Sequence, residues 1–196
     1  MLILDLGSGR NWLNFRDAPE DTKVVCVDRG YGETRTVGNV CLAAANAFEF
    51  LPAYNEEPFD LILASRIFEH FAPEEVFEAL WHCWRIAAKG CLLTIIVPDH
   101  LLVAHMVGAL NPLATPAIEF QRKFSFAHFE FFNTPDDPHL SIWTPNLVPY
   151  YLETENLWKV KAVEHVSVEP GRDFFLKISA LRVEGACVAS LGTREG

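Results

Sequence analysis

The chain has 196 residues, half of them hydrophobic and 21% charged, with a formal net charge of −10 at pH 7. That length suits one domain with a continuous core, and the negative charge weighs against nucleic acid or an anionic membrane surface as a partner. The longest apolar runs, 91–97 and 101–107, are far shorter than the roughly 20 residues of a spanning helix, so no membrane segment is expected.

The start of the chain and its cysteines predict a cytoplasmic location. Residues 1–5 lack the basic region that opens a signal peptide. The five cysteines include no C-x-x-C pair and lie mostly inside apolar runs, which is typical of reduced core thiols.

Apolar runs of strand length alternate with helical patterns in the first hundred residues. Such runs are typical of strands in a parallel sheet, and they lie at 2–6, 23–27, 36–40, 59–64 and 91–97. Between the last two, Pro73 suits a first helical turn, an apolar stripe follows, and Lys89-Gly90 predicts the helix end. Strand, helix and strand in this order indicate a right-handed parallel crossover.

The pattern changes after residue 97. Residues 99–144 are rich in Phe, Pro and His without a clean period, and we expect them to form a lid or acceptor-side insertion. Residues 145–155 predict a helix, and alternation over 158–168 and 173–183 predicts an antiparallel hairpin. The expected organisation is one domain over residues 1–184 and a tail at 185–196.

Glycines follow the first predicted strand in the run Asp5-Leu6-Gly7-Ser8-Gly9. Without a Cβ, they let the backbone approach a ligand closely. Asp28 ends the next strand, where a carboxylate can accept both hydroxyls of a ribose. A dinucleotide fingerprint would need glycine at position 12, and the bulk of Trp12 disfavours a pyrophosphate there. A nucleoside without phosphates, such as S-adenosylmethionine, avoids that obstacle.

Motifs follow one another in a fixed order in the first half of the chain: Leu4-Asp5-Leu6-Gly7-Ser8-Gly9, Val27-Asp28, Val37-Gly38-Asn39-Val40, Phe59-Asp60-Leu61-Ile62-Leu63-Ala64-Ser65, Ile67-Phe68-Glu69-His70-Phe71, Lys89-Gly90-Cys91 and Val97-Pro98-Asp99. This ordered set resembles the class I S-adenosylmethionine-dependent methyltransferases, most of all a bacterial subgroup of surface-polysaccharide and small-molecule biosynthesis. Two pieces depart from the family pattern. Asn11 replaces a third glycine, and Ala88-Lys89-Gly90-Cys91 replaces Lys-Pro-Gly-Gly.

The resemblance implies an α/β fold of the Rossmann-like, doubly wound kind, with a mostly parallel sheet and a C-terminal antiparallel strand pair. It also implies S-adenosylmethionine as the cofactor, with methyl transfer to an oxygen or nitrogen of a small organic or sugar-like acceptor. The implied cofactor residues are Asp5, Gly7, Ser8 and Gly9 at the methionine end, Asp28 and Arg29 at the ribose, Asn39 and Val40 beside the adenine, and Ser65 and Arg66 after the fourth strand.

Two further residues are candidates for catalysis. His70 could accept the proton of the nucleophile, because an imidazole titrates near neutral pH, or it could simply pack at the rim of the sheet. Asp99 follows the fifth strand at the edge where open α/β sheets bind ligands, or it caps a helix. The His and Asp side chains within 128–139 fit no standard ligand spacing, so no metal is expected.

Two other functions remain open on the sequence alone. One is a non-catalytic module that binds S-adenosylmethionine or another nucleoside on a methyltransferase fold. The other is a nucleotide-dependent oxidoreductase, against which Trp12 argues. The fold cannot separate them, because many chemistries share this scaffold.

Overall fold

An eight-stranded sheet forms the centre of the computed structural model, which describes residues 1–102, 139–167 and 175–185. Its strands are β1 (Leu2–Leu6), β2 (Lys23–Val27), β3 (Arg35–Val37), β4 (Val40–Ala43), β5 (Phe59–Ser65), β6 (Ala87–Pro98), β7 (Trp158–Val166) and β8 (Phe175–Arg182). Their order across the sheet is β3-β4-β2-β1-β5-β6-β8-β7. Five neighbouring strands are parallel, namely β4, β2, β1, β5 and β6. Strand β8 runs antiparallel to both of its neighbours, β6 and β7. The predicted Rossmann-like sheet and its C-terminal antiparallel pair are confirmed.

Helices cover the two faces of this sheet unequally in the part of the chain that the structure describes. The α-helices α1 (Ala47–Ala53), α2 (Pro73–Ile86) and α3 (Val148–Glu153) contribute to one large core cluster with the strands. On the opposite face, Trp12 and Phe15 of a 3-10 turn at Asn11–Phe15 pack on a smaller cluster from β1, β2 and β4. No helix among the described residues is long and apolar enough to cross a membrane.

Helix α2 begins as predicted but ends earlier. Pro73 occupies its first turn, and the Glu75 carboxylate accepts a hydrogen bond of 2.7 Å from the amide of Ala72. The predicted end at Lys89-Gly90 is wrong, because Ala87 is already extended and pairs with β5. Gly90, with φ of +75°, instead lies where the register between β5 and β6 shifts.

The expected single strand over 36–40 is also wrong. The chain turns at Gly38 and Asn39, so that β3 folds back antiparallel on β4 with Val37 opposite Val40. A two-residue hairpin turn needs a positive φ, which Gly38 supplies at +60°. This turn moves Asn39 and Val40 to the start of β4 rather than to its end.

The C-terminal elements follow the predicted order. Helix α3 is shorter than the predicted 145–155, with Pro149 in its first turn. Strands β7 and β8 lie within the predicted ranges and pair as a hairpin. Most of the predicted insertion, the turn of the hairpin and most of the tail fall at 103–138, 168–174 and 186–196, outside the described residues.

Candidate functional site

A cleft of about 420 Å³ opens at the carboxyl ends of the parallel strands. Four loops contribute, those that follow β1, β2, β4 and β5. The lining residues are Gly7, Val27, Asp28, Arg29, Ala45, Asn46, Ala47, Phe48, Arg66, Ile67, His70 and Phe71. This is the edge at which open α/β sheets bind their ligands, and the volume lies within the usual range for small-molecule sites.

Asp28 is the acidic centre of the cleft. Its Oδ2 accepts a hydrogen bond of 2.8 Å from the amide of Gly9, and its Oδ1 accepts one of 2.7 Å from the amide of Gly30. The carboxylate is therefore held in place by the backbone of two loops. A carboxylate offers about four lone-pair positions, so two remain for donors such as the hydroxyls of a ribose.

The glycine loop lies close to the segment after β5. Gly7 has a φ of +66°, and a Cβ built on it would lie 3.2 Å from side-chain atoms of Ile67. Its amide donates to the carbonyl of Val27 at 2.9 Å, which ties the loop to the end of β2. Only glycine combines this backbone conformation with so close an approach.

Tyr31 clamps the same loop, and sequence reasoning missed it. Its hydroxyl donates to the carbonyl of Gly9 at 2.9 Å and lies 2.5 Å from the Ser8 hydroxyl. Ser8 is buried, so its contact with Tyr31 lies inside the protein and not in the open cleft. An aromatic residue three positions after an acidic strand end carries no signal that could have revealed this contact.

Asp5 lies under the glycine loop as a buried carboxyl group. Burial, and secondly the charge of Asp28, raise the pKa of Asp5 from 3.8 to about 7. The same burial raises the pKa of the neighbouring Cys26 thiol to about 12. A cationic group of a ligand would favour the ionised form of Asp5, because opposite charges lower the pKa of a carboxyl group.

The structure brings most of the predicted cofactor residues to one place. Those that line the cleft are Gly7, Asp28, Arg29 and Arg66, and the catalytic candidate His70 lines it as well. Asp5, Ser8 and Gly9 belong to the strand and loop beside it. Ser65 is the last residue of β5, opposite Ile96, and is not among the lining residues.

Asn39 and Val40 are not brought to this cleft. They pair with the start of β2, where the carbonyl of Asn39 accepts from Val24, whereas Asp28 lies at the other end of that strand. The Asn39 side chain donates to the carbonyl of Thr22, and the residue lines a separate cavity of about 530 Å³. The expected pair therefore lies outside the cleft, and residues 45–48, from the end of the loop after β4 and the start of α1, line the cleft instead.

Arg66 has an unusual backbone conformation at the end of β5. Its φ is +58°, a region that side-chain-bearing residues rarely adopt, and its amide donates to the carbonyl of Ile96 at 2.8 Å. The guanidinium lies 6.0 Å from the centre of the Phe175 ring. Strain of this kind is typical of functional sites, which agrees with the place of Arg66 in the cleft.

Asp99 caps the helical turn that begins at His100. Its Oδ1 accepts from the amides of Leu101 and Leu102 at 3.0 and 3.2 Å, and its Oδ2 lies 2.8 Å from Nε2 of His165. It is buried and does not line the cleft. The structure therefore favours the capping alternative over a catalytic role.

No known family profile matches the sequence, and no curated protein matches it. Solved structures do match the fold. An N-methyltransferase, NodS, from Bradyrhizobium japonicum WM9 is 12% identical with a TM-score of 0.58, covering 93% of this chain and 86% of that one. A SAM-dependent methyltransferase from Methanosarcina mazei is 16% identical with a TM-score of 0.57, covering 93% and 92%.

A third match was solved with ligands bound. The 1,6-didemethyltoxoflavin-N1-methyltransferase of Burkholderia thailandensis, with 1,6-didemethyltoxoflavin and S-adenosylhomocysteine, is 14% identical with a TM-score of 0.64, covering 93% of this chain and 71% of that one. At such low identity these matches show the fold. They do not show the reaction, because one fold hosts many chemistries.

Proposed function

We propose that this chain is an S-adenosylmethionine-dependent methyltransferase acting on an oxygen or nitrogen of a small organic or sugar-like acceptor. The observation that carries the proposal is the Asp28 carboxylate, held by the amides of Gly9 and Gly30 at the rim of the cleft. The fold that the chain shares with solved methyltransferases supports it.

The residues around the cleft fit this cofactor better than a dinucleotide. The glycine loop leads into the 3-10 turn at Asn11–Phe15 instead of a long helix, and Trp12 packs toward the sheet. This 3-10 turn stands where a dinucleotide-binding protein would have the helix N-terminus that binds the pyrophosphate. Asp28 would hold the ribose, and the small residues Ala45 and Ala47 leave room for a flat base between β4 and α1.

Such a reaction requires little chemistry from the side chains of the protein. Bound S-adenosylmethionine supplies a methyl group that its sulfonium already activates for displacement. The protein aligns the acceptor with that methyl group and excludes water. Asp5 beneath the loop would stabilise positive charge at the methionine end, and His70 lines the cleft where the acceptor's proton would be released.

Transfer of an isotope-labelled methyl group tests this proposal against a non-catalytic binding module. The chain is incubated with labelled S-adenosylmethionine and pools of small acceptors that carry hydroxyl or amino groups, with Asp28→Ala as the matched control. Label in an acceptor product with the wild type only supports the enzyme. Binding of S-adenosylhomocysteine without transfer to any pool would favour the binding module instead.

A further inference from the structure

Two histidines and a glutamate come together beside the cofactor cleft, although the sequence separates one of them from the others by about 70 residues. One ligand atom each of Glu69, His70 and His139 lies within 4.8 Å of the others. The rings of His70 and His139 meet edge to face, with centroids 4.9 Å apart. His70 also lines the cleft, so the cluster lies at its rim.

The backbone fixes this arrangement. The amides of Leu140 and Ser141 both donate to the carbonyl of Glu69, at 2.7 and 3.1 Å. The Ser141 hydroxyl donates to the carbonyl of Phe68 at 2.9 Å and accepts from the buried indole of Trp143 at 3.0 Å. These bonds hold the segment after His139 against the 3-10 turn at Phe68–His70, independently of the side chains in the cluster.

His100 closes the other side of the cluster, 5.8 Å from the His139 ring. The Trp143 amide donates to its Nδ1 at 3.0 Å, which leaves the ring proton on Nε2. With Nδ1 engaged by that amide, His100 is a neighbour of the cluster, not a ligand.

We propose that Glu69, His70 and His139 bind a divalent transition-metal cation of the Zn²⁺ type, whose open coordination position takes an oxygen of the acceptor. Two imidazoles and one carboxylate are a known set for catalytic zinc and other first-row cations, whereas Mg²⁺ and Ca²⁺ prefer oxygen ligands alone. Ligand atoms around such an ion lie about 3.4 Å apart for bonds of about 2.1 Å. Small side-chain rotations would bring the ligand atoms, now within 4.8 Å of one another, to that separation.

The burial of Glu69 agrees with a cation here. Glu69 is only 1% exposed, and a buried carboxylate needs nearby positive charge or strong hydrogen bonds. The cation would orient an acceptor hydroxyl at the rim of the cleft and lower its pKa, so that the hydroxyl proton passes to solvent water. This rests on the proposed methyl transfer, and it replaces the proton-accepting role of His70, because a metal-bound ring nitrogen cannot also take a proton.

Cobalt binding tests the site without any assay of methyl transfer. The full chain, without a histidine tag and stripped of metal by a chelator, is titrated with Co²⁺ and then with Zn²⁺. We expect one Co²⁺ per chain, visible ligand-field absorption, and displacement by Zn²⁺. Azide should alter the spectrum of the Co²⁺-loaded chain, because it can occupy an open position.

Three variants make the test specific. Glu69→Gln and His139→Asn should each weaken Co²⁺ binding by about 100-fold or more, since removing a ligand costs at least as much as removing its support. The matched control is His82→Gln, which alters a histidine 3.7 Å from Glu78 and outside the cluster, and it should bind as the wild type does. His139→Asn serves even if Glu69→Gln fails to fold, because His139 is only partly buried.

Absence of stoichiometric Co²⁺ uptake, or unchanged affinity in His139→Asn, would overturn the metal site. A spectrum that azide leaves unaltered would overturn the open position. Calorimetric titration of S-adenosylhomocysteine into the metal-free chain reports on the cofactor cleft separately. Binding there without Co²⁺ uptake would refute the metal site alone, and the reverse result would refute the proposed cofactor alone.

Discussion

Replacing Asp5 by asparagine should remove a loss of stability that the wild type suffers as the pH rises from about 4 to about 7. Asp5 is 4% exposed, and burial together with Asp28 raises its pKa from 3.8 to about 7. In that window the folded chain keeps the Asp5 proton, whereas the unfolded chain has lost it. The unfolded state therefore gains stability relative to the folded state as the pH rises, until Asp5 also ionises in the folded chain.

The size of the effect follows from the shift. A pKa raised by about three units corresponds to about 4 kcal/mol of folding free energy, because each unit contributes about 1.4 kcal/mol. Asparagine cannot ionise, so the advantage of Asp5→Asn over the wild type should grow with pH by up to that amount. Its amide resembles the protonated carboxyl group in size, so the two proteins should differ least in acid.

Urea unfolding of both proteins at pH 4 and pH 8, followed by far-ultraviolet circular dichroism, measures this difference. Subtracting the two proteins isolates Asp5 from the other groups that titrate in the window. The exposed Asp17→Asn is the control and should leave the pH dependence as it is. Parallel profiles for Asp5→Asn and the wild type would show that the pKa of Asp5 is not raised in the folded chain.

Three other substitutions test the loop geometry. Gly7→Ala should lower the free energy of unfolding by about 1–2 kcal/mol or more, because residue 7 has a positive φ and the new Cβ would meet Ile67; an unchanged melting temperature would argue against this. Tyr31→Phe should cost about 1 kcal/mol of stability and weaken S-adenosylhomocysteine binding, since its hydroxyl bonds the carbonyl of Gly9; equal affinity by calorimetry would count against the clamp. Arg66→Gly should be more stable than Arg66→Ala by about 1 kcal/mol, because glycine accepts the φ of +58°; chemical denaturation showing the reverse order would exclude backbone strain there.

The sequence predicted most of the strands, the parallel pairing of β5 with β6 across α2, and the acidic end of β2, because each depends on a local pattern. Continuous apolar runs gave β1, β2, β5 and the main part of β6 in the right places. Asp28 was identifiable because it follows a strand at the expected distance from the glycines. Its hydrogen bonds to Gly9 and Gly30 agree with that position but required the structure.

The sequence predictions were wrong at two glycines, because glycine occurs in hairpin turns and strand irregularities as well as at helix ends. Gly38 interrupts an otherwise strand-like run, and only the pairing of Val37 with Val40 shows that it makes a hairpin turn. Lys89-Gly90 looks like a helix end, yet it lies within β6. Neither the packing of Ile67 against the glycine loop nor the hairpin register is a local property of the sequence.

The histidine cluster shows the same limit for function. The spacing of the His and Asp residues within 128–139 predicts no metal site, because the other two residues of the cluster lie about 70 positions earlier in the chain. The partner residues Glu69 and His70 come from a turn before α2, and backbone bonds to Leu140 and Ser141 bring the two segments together. Such bonds leave no periodic trace in the sequence.

Calorimetric titration of S-adenosylmethionine and S-adenosylhomocysteine tests the central claim most directly. We expect one molecule to bind to the wild type with micromolar affinity and at least 10-fold more weakly to Asp28→Ala, because hydrogen bonds to a charged group contribute about 1.5–3 kcal/mol. NADH, as the control ligand, should not bind. A folded, ligand-free wild type that binds neither nucleoside, or that binds NADH instead, would exclude S-adenosylmethionine as the ligand of the cleft.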